Sequence, residues 1–136
     1  MRLGIAANVC RLELSDPSHF NTLNIEMASD MQMAVRSLAA QEKGSIRGAV
    51  LQGAGVHFCP GGNPYRMLAS SSTSLPAEAR GSIDLLDGFC RLRPLPMPVA
   101  CAAHGTVLGG GLAICLLTDF LACNDAAPLQ VGERSR

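Results

Sequence analysis

Apolar and polar positions divide this chain into short alternating or helical-period segments, punctuated by glycine and proline. Asn8–Ser15 alternates and is rich in Val, Leu and Cys, which predicts a strand ending at the Asp16-Pro17 turn. Within Asn24–Leu38, residues Ile25, Met27, Ala28, Met31, Ala34, Val35 and Leu38 recur at helical spacing, with Asn24 as N-cap. Met27 and Met31 read as core packing. Gly44-Ser45 breaks the pattern, and Ile46–Gln52 reads as a buried strand stopped by Gly53-Ala54-Gly55. His57-Phe58-Cys59 is a second short strand-like piece. Met67–Ala79, with four serines and a threonine, has little periodicity and reads as a mobile loop. Gly81–Leu92 carries Ile83, Leu85, Leu86, Phe89 and Leu92 at helical spacing, before Pro94, Pro96 and Pro98 impose an extended link. Val99–Ala103 predicts a strand, His104–Leu108 a turn approach, Gly111–Leu117 a short helix and Phe120–Cys123 a final strand. Such alternation predicts an α/β domain with crossovers. No internal repeat stands out.

Composition narrows the function classes. The 136 residues are 48% hydrophobic and 16% charged, which fits one soluble globular domain. Eleven basic residues balance eleven acidic ones with no basic run, so attraction to nucleic acid or a membrane surface has no electrostatic basis. A small molecule or another subunit is the expected partner. Six cysteines without a CxxC pair read as reduced, buried thiols of an intracellular protein, not as a disulfide frame or metal site. The apolar part of the first eight residues is too short for a signal peptide. The apolar stretch Val107–Cys123 is broken by three glycines, Thr118 and Asp119, which argues against a membrane span. These readings point to a cytoplasmic or organellar protein.

Two glycine clusters carry the candidate chemistry: Pro60-Gly61-Gly62-Asn63 after a strand-like run, and Gly109-Gly110-Gly111 before a helix-like one. Glycine permits positive φ and lets another group approach the backbone closely. Two such turns converging on one point would aim backbone N–H groups at a developing oxyanion. Either cluster alone is a weak signal, since most glycine-rich turns are only turns.

The surrounding residues resemble the crotonase (enoyl-CoA hydratase/isomerase) superfamily. Asp16-Pro17 followed by Phe20-Asn21-Thr22-Leu23-Asn24 resembles its strand-to-helix entry. Val50-Leu51-Gln52-Gly53-Ala54-Gly55 with Phe58-Cys59-Pro60-Gly61-Gly62-Asn63 and Met67 resembles a first signature. Ala103-His104-Gly105 with Leu108-Gly109-Gly110-Gly111-Leu112-Ala113 and Asp119 resembles a second. Order and spacing hold from about residue 8 to 125. The resemblance implies a spiral of ββα units, here a single domain over residues 1–136 that corresponds to an N-terminal half and lacks the C-terminal helices. It also implies trimers or pairs of trimers, and an exposed apolar face where the missing helices would pack.

By the same resemblance, the backbone N–H groups of Gly62 and Gly110 stabilise a thioester enolate, with Gly61, Asn63, Tyr65 and Gly109 beside the substrate. The substrate is an acyl thioester of coenzyme A or of an acyl carrier protein, and no further cofactor is implied. Hydratases of the family carry a glutamate where this chain has Ala113. The family's second glutamate falls, by spacing from Asp119, on Glu133, which reads more readily as a solvated glutamate in a frayed tail. Asn63 replaces a common aspartate, His104 reads as a structural histidine, and His57 is expected to end a strand in solvent. Cys59 faces the core in the family pattern and is not expected to act as a nucleophile.

The leading expectation is therefore a lyase or isomerase that decarboxylates, dehydrates or isomerises an enoyl or 3-hydroxyacyl group. The missing glutamate beside His104-Gly105 resembles the branch acting in polyketide β-branching. The alternatives are a non-catalytic module for acyl-thioester binding or assembly, and an inactive fragment.

Overall fold

A computed structural model of the chain describes residues 1–62, 87–125 and 127–130. In chain order the elements are β1 (Arg2–Ala6), β2 (Val9–Leu14), a 3-10 turn (Pro17–His19), α1 (Ile25–Ala39), β3 (Gly48–Gly53) and β4 (Val99–Ala103). They continue with β5 (Val107–Leu108), α2 (Gly110–Cys115), β6 (Phe120–Cys123) and β7 (Leu129–Gln130). Five strands form one sheet in the order β1-β2-β3-β4-β6, antiparallel at β1–β2 and parallel elsewhere.

The sheet strands alternate because one face is buried. Cys10, Leu12 and Leu14 of β2, Ala49 and Leu51 of β3, and Val99, Cys101 and Ala103 of β4 turn to the same side and form the core with α1. The helix contributes Met27, Ala28, Met31, Ala34, Val35 and Leu38, so both methionines pack in the core as the spacing predicts. Ile25 does not: it occupies the first helical position, ahead of the buried stripe, and is 55% exposed. Asn24 caps α1 from extended backbone, its Oδ1 accepting from Met27 N at 2.7 Å.

A second, thinner ribbon is built from isolated parallel contacts. Leu23 lies beside Gly62, Cys59 beside Val107, and β5 pairs with β7. After each of β2, β3, β4 and β6, the chain therefore passes through this ribbon. The result is a spiral whose turns are unequal in length, which is why no repeat is visible in the sequence.

Several boundaries differ from expectation. β1 was not foreseen; it is an edge strand with Gly4 at its centre. Its hairpin turn is set by Ala7 and Asn8, both at positive φ (49° and 64°). Ile46 is buried but precedes β3, which starts at Gly48. His104–Leu108, read as a turn approach, includes β5, and α2 occupies Gly110–Cys115 where Gly111–Leu117 was expected. β6 is not the last strand, because β7 follows. Helix is observed at 87–90, a turn at 91–94, and the rest of the Gly81–Leu92 prediction extends beyond the described residues, as does the whole Met67–Ala79 loop. All four β6 residues are exposed, as are Leu3 and Ile5 on the opposite edge strand.

Asn21 is the one fully buried polar side chain among the described residues. Its Oδ1 accepts from Asp16 N at 2.8 Å, and its Nδ2 donates to the carbonyls of Ala54 and His57, each at 2.8 Å. The amide thus ties the end of β2 to the segment between β3 and the first glycine turn. Removing it strands one N–H and two carbonyls. Asn21→Ala is expected to lower stability by about 3 kcal/mol. Urea unfolding would show this as a lower midpoint at unchanged slope. A loss below about 1 kcal/mol would mean that water replaces the amide.

Candidate active site

The two glycine turns meet because the segments that precede them pair. Phe58 N donates to His104 O at 2.8 Å, Cys59 N to Thr106 O at 3.1 Å, and Leu108 N to Cys59 O at 3.2 Å. Parallel pairing brings the ends of both segments to the same side, so the turns that follow Cys59 and Leu108 emerge next to each other.

Their contact is backbone against backbone. Gly61 has φ +92°, and a Cβ there would lie 2.9 Å from Leu108 O and 3.0 Å from Gly110 N. A Cβ on Gly111 would collide with the Cys59 carbonyl. Glycine is required at both positions by crowding. A Cβ on Gly110 would lie 3.8 Å from Gly62 N. Since a Cβ is about 2.5 Å from its own nitrogen, the Gly62 and Gly110 nitrogens are within about 6 Å of each other. That separation suits two N–H donors sharing one oxygen. Among the described residues neither nitrogen donates a hydrogen bond.

Neighbouring groups fix the turns. Leu23 N donates to Gly61 O at 2.8 Å, and the Leu23 side chain approaches Gly110. Gly109, at φ 48°, donates to Gln130 O at 3.0 Å, tying the second turn to β7. Leu23 appeared in the sequence only as part of a motif; its placement between the turns carried no local signal.

Gly61, Gly62, Gly109 and Gly110 are thus brought together. Asn63, Tyr65 and Glu133 lie outside the described residues. Ala113 is exposed on α2, three residues after Gly110. Cys59 is fully buried, and burial pushes its thiol up to about 12, which keeps it protonated at neutral pH. His104 is a turn histidine: its Nε2 lies 3.0 Å from Gly55 O, so that nitrogen carries the proton and donates. His57 corrects the expectation of a solvated strand end. It is half-buried, its Nδ1 accepts from Thr106 N at 3.2 Å, and its ring meets Phe20 edge-on with centroids 5.2 Å apart. Asp119 ties β4 to β6, its Oδ2 accepting from Val99 N while its own N donates to Val99 O, both at 2.8 Å.

Two depressions, of about 380 and 320 Å³, lie elsewhere. The first is on the outer sheet face around Ile5, Arg11 and Gln52, and the second lies beside the end of α1 near Met97. Neither is lined by the glycine turns, where Gly62 is exposed. Among the described residues no group of three His, Cys, Asp or Glu side chains is placed to hold a metal, and no helix is long and apolar enough to cross a membrane.

Comparison with known proteins adds the family. Residues 4–134 match the family described as enoyl-CoA hydratase/isomerase. The fatty acid oxidation complex subunit alpha of Vibrio campbellii is 30% identical over 126 residues, covering 92% of this chain and 18% of that protein. The peroxisomal Delta(3,5)-Delta(2,4)-dienoyl-CoA isomerase of Arabidopsis thaliana is 25% identical over 142 residues, covering 98% of this chain and 50% of the isomerase. The crystal structure of an enoyl-CoA hydratase from Polaromonas sp. JS666 superposes with TM-score 0.85 at 27% identity, over 93% of this chain and 48% of that one. The chain therefore spans about half the length of that isomerase and that hydratase and 18% of the oxidation-complex subunit, and its mixed α/β spiral is the crotonase fold. It belongs to the enoyl-CoA hydratase/isomerase family.

Proposed function

We propose that this chain acts on acyl thioesters by stabilising an enolate between the backbone N–H groups of Gly62 and Gly110. The observation that carries the reading is the contact between the two glycine turns, which brings these nitrogens within about 6 Å of each other. Backbone donors suit the task because they are held in place and lose no side-chain entropy when charge develops on the thioester oxygen.

Ala113 selects among the family's reactions. Adding water across a double bond needs groups that place the water and move a proton, and alanine does neither. Decarboxylation needs less: when CO2 leaves, its bonding electrons pass to the thioester carbonyl, and the two N–H donors bind the resulting enolate oxygen. Dehydration or isomerisation would need a proton-transfer group, for which Glu133 is the candidate. This preference fits a carrier-protein-linked substrate of the polyketide β-branching type as well as a coenzyme A ester. Gly61 and Gly109 shape the turns, and Asn63 and Tyr65, next in sequence after the first turn, are the proposed contacts to the acyl group. A homotrimer or hexamer is the proposed assembly.

A panel of 3-hydroxyacyl, enoyl and 3-methylglutaconyl thioesters, on coenzyme A and on acyl carrier protein, tests this by mass spectrometry beside a sizing measurement. Loss of CO2 from the 3-methylglutaconyl ester is the expected result. Binding without turnover would favour a non-catalytic thioester module, to which Ala113 also points. Absence of binding to any member would refute the thioester reading.

A further inference from the structure

At the far end of the helix that opens at the second glycine turn, two cysteines from different elements face each other. Cys101 sits in the middle of β4, buried beside Leu51 of β3 and in register with the exposed Leu121 of β6. Cys115 is the last residue of α2. Their sulfur atoms are 3.5 Å apart, although the residues are 14 positions apart in sequence, and both side chains are buried. α2 is only six residues long; Gly111, Ile114 and Cys115 are its buried positions, while Ala113 and the C-cap Leu116 are exposed. A covalent tie between the two sulfurs would fasten this helix to the sheet.

We propose that Cys101 and Cys115 are a redox pair, closed to a disulfide by a small peroxide, and that closure locks α2 onto β4. The Cys115 sulfur, as thiolate, attacks one peroxide oxygen. The O–O bond breaks, a sulfenic acid forms, and hydroxide leaves and is protonated to water. Cys101 sulfur then attacks the Cys115 sulfur; the S–S bond forms, the S–O bond breaks, and the departing hydroxide takes the Cys101 proton as a second water. Two thiols supply the two electrons that reduce the peroxide. The sulfurs need to approach by about 1.5 Å, which a small shift of the six-residue helix would cover. Polarity agrees with this order of events: the Cys101 thiol donates to the Cys115 sulfur, which lowers the pKa of Cys115 and raises that of Cys101. Because α2 begins at Gly110, closure also fixes the second glycine turn. The pair itself stands independently of the thioester reading.

The full chain carrying Cys90→Ser and Cys123→Ser tests the proposal, since it removes the two exposed thiols and keeps the buried pair. The protein is treated with hydrogen peroxide, denatured, alkylated and digested with pepsin. Trypsin is unsuitable because no Lys or Arg lies between Pro94 and Glu133. The expected product lacks two hydrogens and joins the Cys101 and Cys115 peptides. It melts on the order of 10 °C higher than the reduced protein, as expected for closing a loop of this length. Dithiothreitol reverses both changes. Adding Cys115→Ala abolishes the cross-link and the shift. Free, alkylatable Cys101 and Cys115 after treatment, cross-linking through Cys10 or Cys59 instead, or a cross-link that lowers the melting temperature would each overturn the proposal.

Discussion

Gly61→Ala is expected to lower thioester turnover by about 100- to 1,000-fold, the usual cost of losing one oxyanion donor. The added methyl has nowhere to go, because its position is 2.9 Å from Leu108 O and 3.0 Å from Gly110 N, both backbone atoms of the facing turn. The two turns must separate, and the Gly62 and Gly110 nitrogens separate with them. Gly61 also sits at φ +92°, so part of any stability loss reflects strain in the left-handed region and not the wedge. Gly44→Ala isolates that part. Gly44 has φ +86° with nothing within 4 Å of its Cβ position and lies in a loop away from the turns. Gly44→Ala is therefore expected to cost about 1 kcal/mol and leave turnover unchanged. The measurement is kcat/KM for each variant beside its thermal melt. If Gly61→Ala destabilises no more than Gly44→Ala and retains turnover, the contact between the turns is not what positions the donors.

What could be read from the sequence divides by range. α1 was legible because its stripe and its cap are local: Asn24 lies three residues before the N–H it caps, and Met27 to Leu38 keep one period. β4 and β6 were legible to the residue because each is a short apolar run with clear stops, Pro98 and His104-Gly105 around β4 and Asp119 and Asn124-Asp125 around β6. β1 was not, since an edge strand with a central glycine has little apolar pattern, and its place is set by the Ala7-Asn8 turn. The thin ribbon was invisible for a different reason. Leu23, Cys59 and Val107 each make contacts of one or two residues across long separations, and no periodicity marks such contacts. The glycine clusters were legible as clusters, and family resemblance added their convergence. The work of each glycine was not legible: Gly61 and Gly111 are demanded by crowding, whereas a Cβ on Gly109 would meet open space. Asn21 stood in a quoted motif, yet its clamp on Ala54 and His57 depends on partners more than thirty residues away. The Cys101–Cys115 contact is likewise a product of folding that no spacing rule announces.

Water addition to a simple enoyl thioester is expected to be undetectable or slower by about 100- to 10,000-fold than with a full acid/base pair, the range that general acid/base catalysis supplies. The reason lies at Ala113. This residue follows Gly110 by three positions on α2, its N donates to Gly109 O at 3.0 Å, and its methyl is exposed. It therefore stands within one helical turn of the proposed donor but offers no proton. The same exposure makes the position easy to refit. Ala113→Glu places a carboxylate there without displacing core atoms, and glutamate is nearly as good a helix former as alanine. If the glycine turns bind the thioester as proposed, hydration should rise in Ala113→Glu while the melting temperature stays near that of the parent. Ala113→Gln separates the proton from the shape: it fills the same space, transfers no proton at neutral pH, and should leave hydration at the parent level. Glu133→Gln in the parent then reads the remaining candidate. A fall in any residual proton-transfer activity would assign that work to Glu133, and no change would leave the two N–H donors as the whole of the catalytic apparatus, as decarboxylation requires. Ordinary hydratase rates in the parent chain would contradict this account directly, because either Glu133 alone or a group outside the family pattern would then be doing the work of two glutamates.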